Sequence, residues 1–173
     1  MFPIMGQVNV LFVLLALAVV MALACKFKIL PFGMAALAAD RDTPSRDGRT
    51  YNYPLAAAKL IYEGSLCVLD SSGNAAPGST ATGLVCIGRA RGNYDNSAGS
   101  AGDISGEFEQ GVFQWGNSAS TDAITKAEIG DQCYIVDDQT VAKTSATSTR
   151  SVAGIVVDVD SAGVWVRTAF AGA

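Results

Sequence analysis

The 173-residue sequence contains no histidine. Histidine is the most frequent general base in enzymes, a common metal ligand and the side chain that titrates near neutral pH. The sequence also lacks the glycine-rich phosphate-binding loop, the nucleophile elbow and the zinc-protease motif. These absences remove the usual starting points for catalysis, and we predict a protein that is not an enzyme and uses no cofactor.

Basic residues are few and scattered. The chain carries 12 lysines and arginines against 16 acidic residues, a net charge of −4. Two of the basic residues, Lys26 and Lys28, follow an apolar segment, which leaves 10 for the rest of the chain. Binding to nucleic-acid phosphates needs clustered lysine and arginine. We therefore expect no nucleic-acid partner.

The four cysteines form no closely spaced pair, so the sequence gives no support for a zinc site. Cys67, Cys86 and Cys133 each lie within an apolar, strand-like run. We predict that these three are buried, free thiols that act as small apolar side chains. This usage fits a protein assembled in a reducing compartment.

The first 33 residues are an apolar extension that we expect to contain a helix. Residues 8–25 carry no charge and are nearly long enough, as a helix, to span a bilayer. No lysine or arginine precedes them, and Ala22 stands where a lipoprotein signal usually has leucine. The segment could be an anchor or signal, an apolar helix buried in an assembly, or sequence upstream of a working start at Met34. A membrane partner is not expected, but this segment leaves it open.

Residues 34–58 form a polar arm. The stretch "ADRDTPSRDGRT" mixes both charges and is interrupted by proline and glycine, which predicts an extended or looping segment. Such a segment is either simply solvated or pairs with a neighbouring subunit. The candidate contact residues of the arm are Asp40, Arg41, Asp42, Thr43, Pro44 and Arg46.

Residues 59–173 alternate with a period of two from Leu60 onward, which is typical of strands. In "SLCVLD" both faces are apolar, so this strand is predicted to be covered on both sides. Residues 121–130 predict one short helical turn, with Thr121 or Asp122 as N-cap and Gly130 at its end. Seven to eight short strands predict an all-β fold, a small β-barrel or sandwich.

Three features are weak candidates for a site. Glu107 and Glu109 share one face of a strand and could bind a cation or flank a glycosidic bond. The stretch "DVDSAG" (158–163) begins like a calcium loop but lacks later ligands, so a hairpin turn is favoured. Trp115 and Trp165 end apolar strands and are interpreted as core or interface anchors, with sugar platforms as the alternative.

The order of several motifs resembles the capsid cement, or head decoration, proteins of tailed bacteriophages. The motifs are "AALAADRDTPSRDG", "IYEGSLCVLDSSGNAAPG", "GLVCIGRARG", "GEFEQGVFQW", "IGDQCYIVDDQTVAKTS" and "VAGIVVDVDSAGVWVR". The resemblance covers about residues 34–173 and rests on their order, since no single motif is specific. Residues 1–33 depart from the usual pattern of the family.

The resemblance implies a structural protein of the virion, located on the phage head surface. Such a protein binds the lattice of the major capsid protein, commonly as a homotrimer, and stabilises the shell without catalysis. An extended arm would add backbone hydrogen bonds to a neighbouring sheet edge. The alternative is a membrane-associated β-sandwich that binds a ligand, for example a carbohydrate, and is tethered by the apolar extension.

Overall fold

The computed structural model describes Ala39, Asp42 and residues 48–168, which form twelve short strands and two 3₁₀ turns. The chain divides into units of residues 1–45 and 46–173, and the fold below belongs to the second. The strands are β1 (Thr50–Pro54), β2 (Lys59–Ile61), β3 (Leu66–Leu69), β4 (Ala75–Pro77), β5 (Val85–Ala90), β6 (Tyr94–Asn96), β7 (Ser105–Glu109), β8 (Val112–Asn117), β9 (Gln132–Ile135), β10 (Thr140–Ala142), β11 (Val152–Val159) and β12 (Val164–Arg167). The predicted all-β class is confirmed, and the apolar extension lies outside the described residues.

The first half of this unit is a five-stranded sheet with the strand order β1-β7-β5-β3-β4. Its edge strand β1 pairs antiparallel with β7, from Thr50 opposite Glu109 to Pro54 opposite Ser105. β1 lies within residues 34–58, the range predicted to be the arm. The described sheet therefore begins at Thr50, before the expected start of the β domain at residue 59.

The second half is a closed barrel with the strand order β10-β8-β12-β11-β9. All its pairs are antiparallel except β10 with β8, where Thr140 and Val141 lie parallel to Gly116 and Asn117. β11 and β12 form the predicted hairpin. Because the barrel is closed, each of its strands pairs with a neighbour on both sides. The sequence predicted a barrel or a sandwich, and the structure contains a barrel.

Strands β3 and β5 are apolar on both faces because each face contacts a different core. Leu66, Val68 and Cys86 belong to the first hydrophobic cluster, together with the barrel residues. Cys67 and Ile87 belong to the second cluster. The prediction that "SLCVLD" is covered on both sides is confirmed, since Leu66, Cys67 and Val68 are all buried.

The second cluster lies on the other face of the five-stranded sheet and is completed by the two-stranded sheet of β2 and β6. Phe108 is fully buried there, with Tyr53 and Tyr94 rings at 6.2 and 5.8 Å. The stretch "NYDNSAGSAGD" (93–103) is rich in turn residues, which are typical of a surface loop. Tyr94–Asn96 is nevertheless strand β6, and Asn96 is buried.

The stretch "ISGEFEQGVFQW", in which apolar and polar residues alternate clearly, forms two strands that belong to different sheets. β7 ends at Glu109 in the five-stranded sheet, and β8 begins at Val112 in the barrel. Phe108 packs in the second cluster, whereas Trp115 packs in the first. The break at Gln110 and Gly111 thus carries the chain from one core to the other.

The predicted helical turn at residues 121–130 is two 3₁₀ turns, at Ser120–Asp122 and Lys126–Glu128. The predicted N-caps, Thr121 and Asp122, are incorrect because Thr125 caps the second turn in a reciprocal capping box with Glu128. Gly130 follows with a φ of +96°, in agreement with its predicted place at the end.

Gly88 forms the bulge that lets β5 contact both cores. The β3–β5 register shifts between Cys67 opposite Gly88 and Val68 opposite Cys86, so that Ile87 is the extra residue. Gly88 has a φ of +98°, and a Cβ atom there would overlap the backbone oxygen of Glu109. Both the backbone angle and the close approach of β7 require glycine.

We predict that Gly88→Ala lowers the free energy of unfolding by about 3 kcal/mol or more, because strain at positive φ adds to overlap with β7. Gly83→Ala is the matched control: Gly83 has a φ of +74°, and nothing lies within 4 Å of its Cβ position. It should cost about 1 kcal/mol. Urea denaturation measures both, and equal losses would show that the β7 contact does not require glycine.

Candidate functional site

The arm residues proposed from the sequence are mostly outside the described part of the chain. Asp42 is described and exposed. The remaining candidates lie outside the described residues: Asp40, Arg41, Thr43, Pro44 and Arg46. Their contact role therefore stays a prediction.

The acidic pair Glu107 and Glu109 lies opposite arginines of the neighbouring strand. Arg89 Nη2 is 2.9 Å from Glu109 Oε2, and the Arg91 backbone N–H donates to the Glu107 carbonyl at 3.1 Å. The Arg89 guanidinium also lies 4.9 Å from the centre of the Phe113 ring. The Arg89 guanidinium beside Glu109 makes this a mixed-charge surface rather than a pair of acids, which weakens the cation and glycosidic-bond hypotheses. The Arg89–Glu109 pair is partly exposed and adds little stability.

The stretch "DVDSAG" is the β11–β12 hairpin turn, as favoured from the sequence. The Asp160 carboxylate accepts hydrogen bonds from the backbone N–H groups of Ala162 and Gly163, from the Gln114 amide and from the Trp165 indole. All four groups donate hydrogen bonds to the carboxylate, which therefore holds the turn together instead of being available as a calcium ligand. These bonds, that from Trp165 first, lower the pKa of Asp160 below its ordinary value.

The two tryptophans are structural in different ways. Trp115 is only 5% exposed and packs in the first cluster, with the Phe113 ring 5.7 Å away. Trp165 is half-buried, and its indole donates to Asp160 at 2.8 Å. Burial leaves no open face on Trp115 for a sugar ring, so its alternative role as a carbohydrate platform is wrong.

Two of the clefts in the described part are considered as candidate sites. The first, of about 250 Å³, is lined mainly by residues 82–86 and 150–152. The second, of about 450 Å³, is lined by residues 62–65 with Asp138 and Gln139. At the second cleft the Asp138 carbonyl accepts the Leu66 N–H at 2.7 Å, which joins the β9–β10 turn to β3. Among the described residues, no group of three histidine, cysteine or acidic residues could hold a metal ion.

Polar contacts that sequence reasoning missed anchor several loops. The buried Asn96 amide donates to the carbonyls of Ala56 and Ser100 at 2.9 and 2.8 Å. Arg150 Nη1 lies 2.5 Å from Asp122 Oδ2 and joins the loop before β11 to the first 3₁₀ turn. No local pattern signals the Asn96–Ala56 and Arg150–Asp122 contacts, because the partners are 40 and 28 residues apart.

The Thr50–Asn52 part of β1 pairs with β7 and with no other described strand, whereas Leu55, which follows β1, also bridges to Ala75 of β4. The Arg49 carbonyl accepts the Gln110 N–H, and the Leu55 N–H donates to the Ile104 carbonyl, both at 2.9 Å. Since hydrogen-bonded residues alternate along an antiparallel strand, the backbones of Thr50 and Asn52 face away from β7. Both residues are exposed. In the described part of the chain, no hydrogen bond to their backbone N–H or C=O groups is found.

Comparisons with protein-family models, with curated proteins and with solved structures found no match to this chain. Within the described residues, no helix has the length and apolar character needed to cross a membrane.

Cys67, Cys86 and Cys133 are buried and free, as predicted. Burial raises the pKa of Cys86 to about 11 and that of Cys133 to about 12. Burial also raises the pKa of Cys67 well above the ordinary value. Since the thiolate is the reactive form, all three should be inert in the folded protein.

We predict that these three thiols do not react with Ellman's reagent at pH 8 in the native state and react fully in denaturant. A Cys25→Ser background removes the cysteine that lies outside the described residues. Absorbance of the released thiolate gives the number of reactive groups. Rapid labelling of any of the three without denaturant would contradict their burial.

We predict that Asp160→Asn makes the melting temperature fall less steeply than that of the wild type as the pH is lowered below about 4. The pKa of Asp160 is lowered in the folded state, so its contribution is present above the unfolded pKa, near 3.9, and is lost as pH falls through the folded value. Melting temperatures measured from pH 7 to pH 2 should therefore differ most above about pH 4. Asp158→Asn, on the same hairpin, is the control. An unchanged difference between variant and wild type across this range would contradict the assignment.

Proposed function

We propose that this chain is a structural protein of a tailed-bacteriophage virion, a head decoration subunit that binds the lattice of the major capsid protein as a homotrimer. The observation that carries the proposal is the order of the motifs, which resembles that of capsid cement proteins. The arm, with its candidate contacts at residues 40–46, attaches the subunit to the shell or to a neighbouring subunit.

Three of the six motifs of the resemblance coincide with antiparallel strand pairs. "SLCVLDSSGNAAPG" spans the β3–β4 hairpin, and "VAGIVVDVDSAGVWVR" spans β11 and β12. "IGDQCYIVDDQTVAKTS" spans the antiparallel β9 and β10. These three motifs therefore correspond to folded units of the chain, and a resemblance over them concerns strands as well as turns.

The architecture suits a protein that reinforces a shell. Two cores share β3 and β5, and short turns connect most strands. A module of this kind resists deformation because its interior is closely packed. Repetition over a lattice lets many weak contacts act together through effective concentration.

A membrane-tethered carbohydrate-binding module remains the alternative location and function for the chain. It depends on the apolar residues 8–25, which lie outside the described residues. The burial of Trp115 argues against its sugar-binding part. Fractionation distinguishes the two functions, since a decoration protein sediments with heads and a tethered module stays with the membrane.

We predict that the protein co-sediments with phage heads assembled from the major capsid protein, and that deletion of residues 34–47 lowers head occupancy while the melting temperature is retained. The deletion ends before β1, so the sheet keeps all its strands. Quantitative mass spectrometry of purified heads gives occupancy. A chain with a scrambled sequence at residues 34–47 is the control for arm length.

Virions or heads that never contain the protein would overturn the proposed function. Full occupancy after the deletion would leave the decoration function standing and would reject the role of the arm.

A further inference from the structure

The second cleft, lined by residues 62–65 with Asp138 and Gln139, carries negative charge without a balancing base. Glu63 and Asp138 both line it, and no lysine or arginine of the described chain does. Neither carboxylate forms an ion pair with a described lysine or arginine, although three other acidic side chains in this part of the chain do. Two carboxylates without counter-charges at one opening favour the binding of a cation.

An exposed aromatic ring lies at the same cleft. Tyr62 lines it and is 61% exposed, the largest value among the large hydrophobic residues of the described part. Leu60 is also exposed, whereas Ile61 between them is fully buried. This alternation places Leu60 and Tyr62 on one outward face. The cleft therefore adjoins an exposed apolar pair, and the face of the tyrosine ring attracts cations.

The cleft also offers a buried hydroxyl that is weakly engaged. Ser65 is only 9% exposed, and its Oγ has a single contact in the described part, 3.5 Å from Asp138 Oδ2. Hydrogen bonds between a hydroxyl and an oxygen are usually about 2.7–2.8 Å long. The hydroxyl and the exposed Gln139 side chain can thus both accept hydrogen bonds from a ligand with several N–H donors.

The walls of the cleft are fixed by the fold. The Glu63 N–H donates to Asn93 Oδ1 at 2.9 Å. On the opposite wall the Gln139 carbonyl accepts the Gly116 N–H at 2.8 Å, and the Asp138 carbonyl is bonded to β3. A site whose backbone is already ordered loses little conformational entropy when it binds a ligand.

The described chain does not itself supply a base to this cleft. The Gly64 N–H donates to the Ala90 carbonyl at 3.0 Å, so that Arg91 follows directly beside the turn. Arg91 does not line the cleft, however, and its Nη1 lies 3.3 Å from Thr50 Oγ1. Residues 34–47 also contain arginine and lie outside the described residues, so they enter the test below.

We propose that the second cleft binds an arginine side chain of a protein partner, with an apolar neighbour of that arginine packed on Leu60 and Tyr62. A guanidinium is planar, so it can lie on the tyrosine ring and donate hydrogen bonds to Glu63 and Asp138 at its edge. A lysine ammonium cannot stack in this way, and a neutral sugar would leave both carboxylates without a counter-charge. The partner is a protein because the cleft adjoins an exposed apolar pair. The proposal does not depend on the proposed function.

The test is an NMR titration of the ¹⁵N-labelled full chain with N-acetyl-arginine amide. N-acetyl-citrulline amide is the matched probe, because citrulline has nearly the shape of arginine but no charge. We expect the arginine amide to bind with a dissociation constant on the order of millimolar and to shift the amide signals of residues 62–65, 138 and 139. The citrulline amide should bind about tenfold more weakly. Equal binding of the two probes would overturn the proposal.

Variants locate the binding. Glu63→Gln, Asp138→Asn and Tyr62→Leu should each weaken binding of the arginine amide about threefold, with the melting temperature retained. Asp158→Asn changes the net charge by the same amount outside the cleft, and it should bind the probe as the wild type does. A loss in Asp158→Asn equal to that in Asp138→Asn would show a general charge effect and would overturn the site.

Two dipeptides test the apolar part of the surface. At least one of acetyl-Leu-Arg amide and acetyl-Arg-Leu amide should bind about fivefold more tightly than N-acetyl-arginine amide, because its leucine covers apolar surface. Leu60→Ser should remove this gain while it leaves binding of the arginine amide unchanged. No gain with either dipeptide would overturn the assignment of a protein partner.

The same titration on a chain that lacks residues 34–47 tests the chain's own arm as the occupant. The deletion ends before β1, and we expect unchanged affinity for the arginine amide. Binding that becomes about tenfold tighter after the deletion would show that the arm fills the cleft, and it would overturn the proposal of an outside partner. None of these measurements involves phage heads, so their failure is distinct from a failure of the proposed function.

Discussion

The fold depends on two strands that are buried on both faces. β3 and β5 contribute side chains to the barrel core on one side and to the core under β2 and β6 on the other. Burying an apolar side chain stabilises the fold by about 1.5–3 kcal/mol. In these strands consecutive side chains are both buried, one in each core, whereas a strand with one solvent-exposed face buries only every second side chain. Any shift of one residue in their register would exchange the two sets of side chains, so both cores together fix the alignment.

Polar contacts then fix the connections between strands. Asn96 holds two carbonyls of the loops around β6, and Asp160 collects four donors at the last hairpin. Arg150 and Asp122 join the barrel loop to the first 3₁₀ turn. Just before Arg150, residues 146–148 all have positive φ without being glycine, a strained conformation that needs such anchoring. Regular strands supply the cores, and side-chain hydrogen bonds determine the shape of the loops.

The sequence predicted the features that depend on neighbouring residues. The alternation of apolar and polar residues predicted the all-β class, and the apolar residues on both faces of "SLCVLD" predicted that this strand is buried on both sides. The turn residues predicted the β11–β12 hairpin. It did not predict that "EFEQGVFQW" spans two sheets, because Gln110 and Gly111 interrupt the strand without disturbing its alternation. Nor did it place Arg89 and Arg91 beside Glu109 and Glu107, since these pairs depend on long-range strand order.

The engagement of β4 has a consequence for aggregation. Growth of a cross-β fibril requires that each added molecule present a fresh edge after docking. The five-stranded sheet cannot do this on its β4 side, where Leu55 and Ala56 already pair with Ala75, and the barrel has no edge because it is closed. Within the described residues, the architecture therefore opposes fibril growth at β4 and at the barrel.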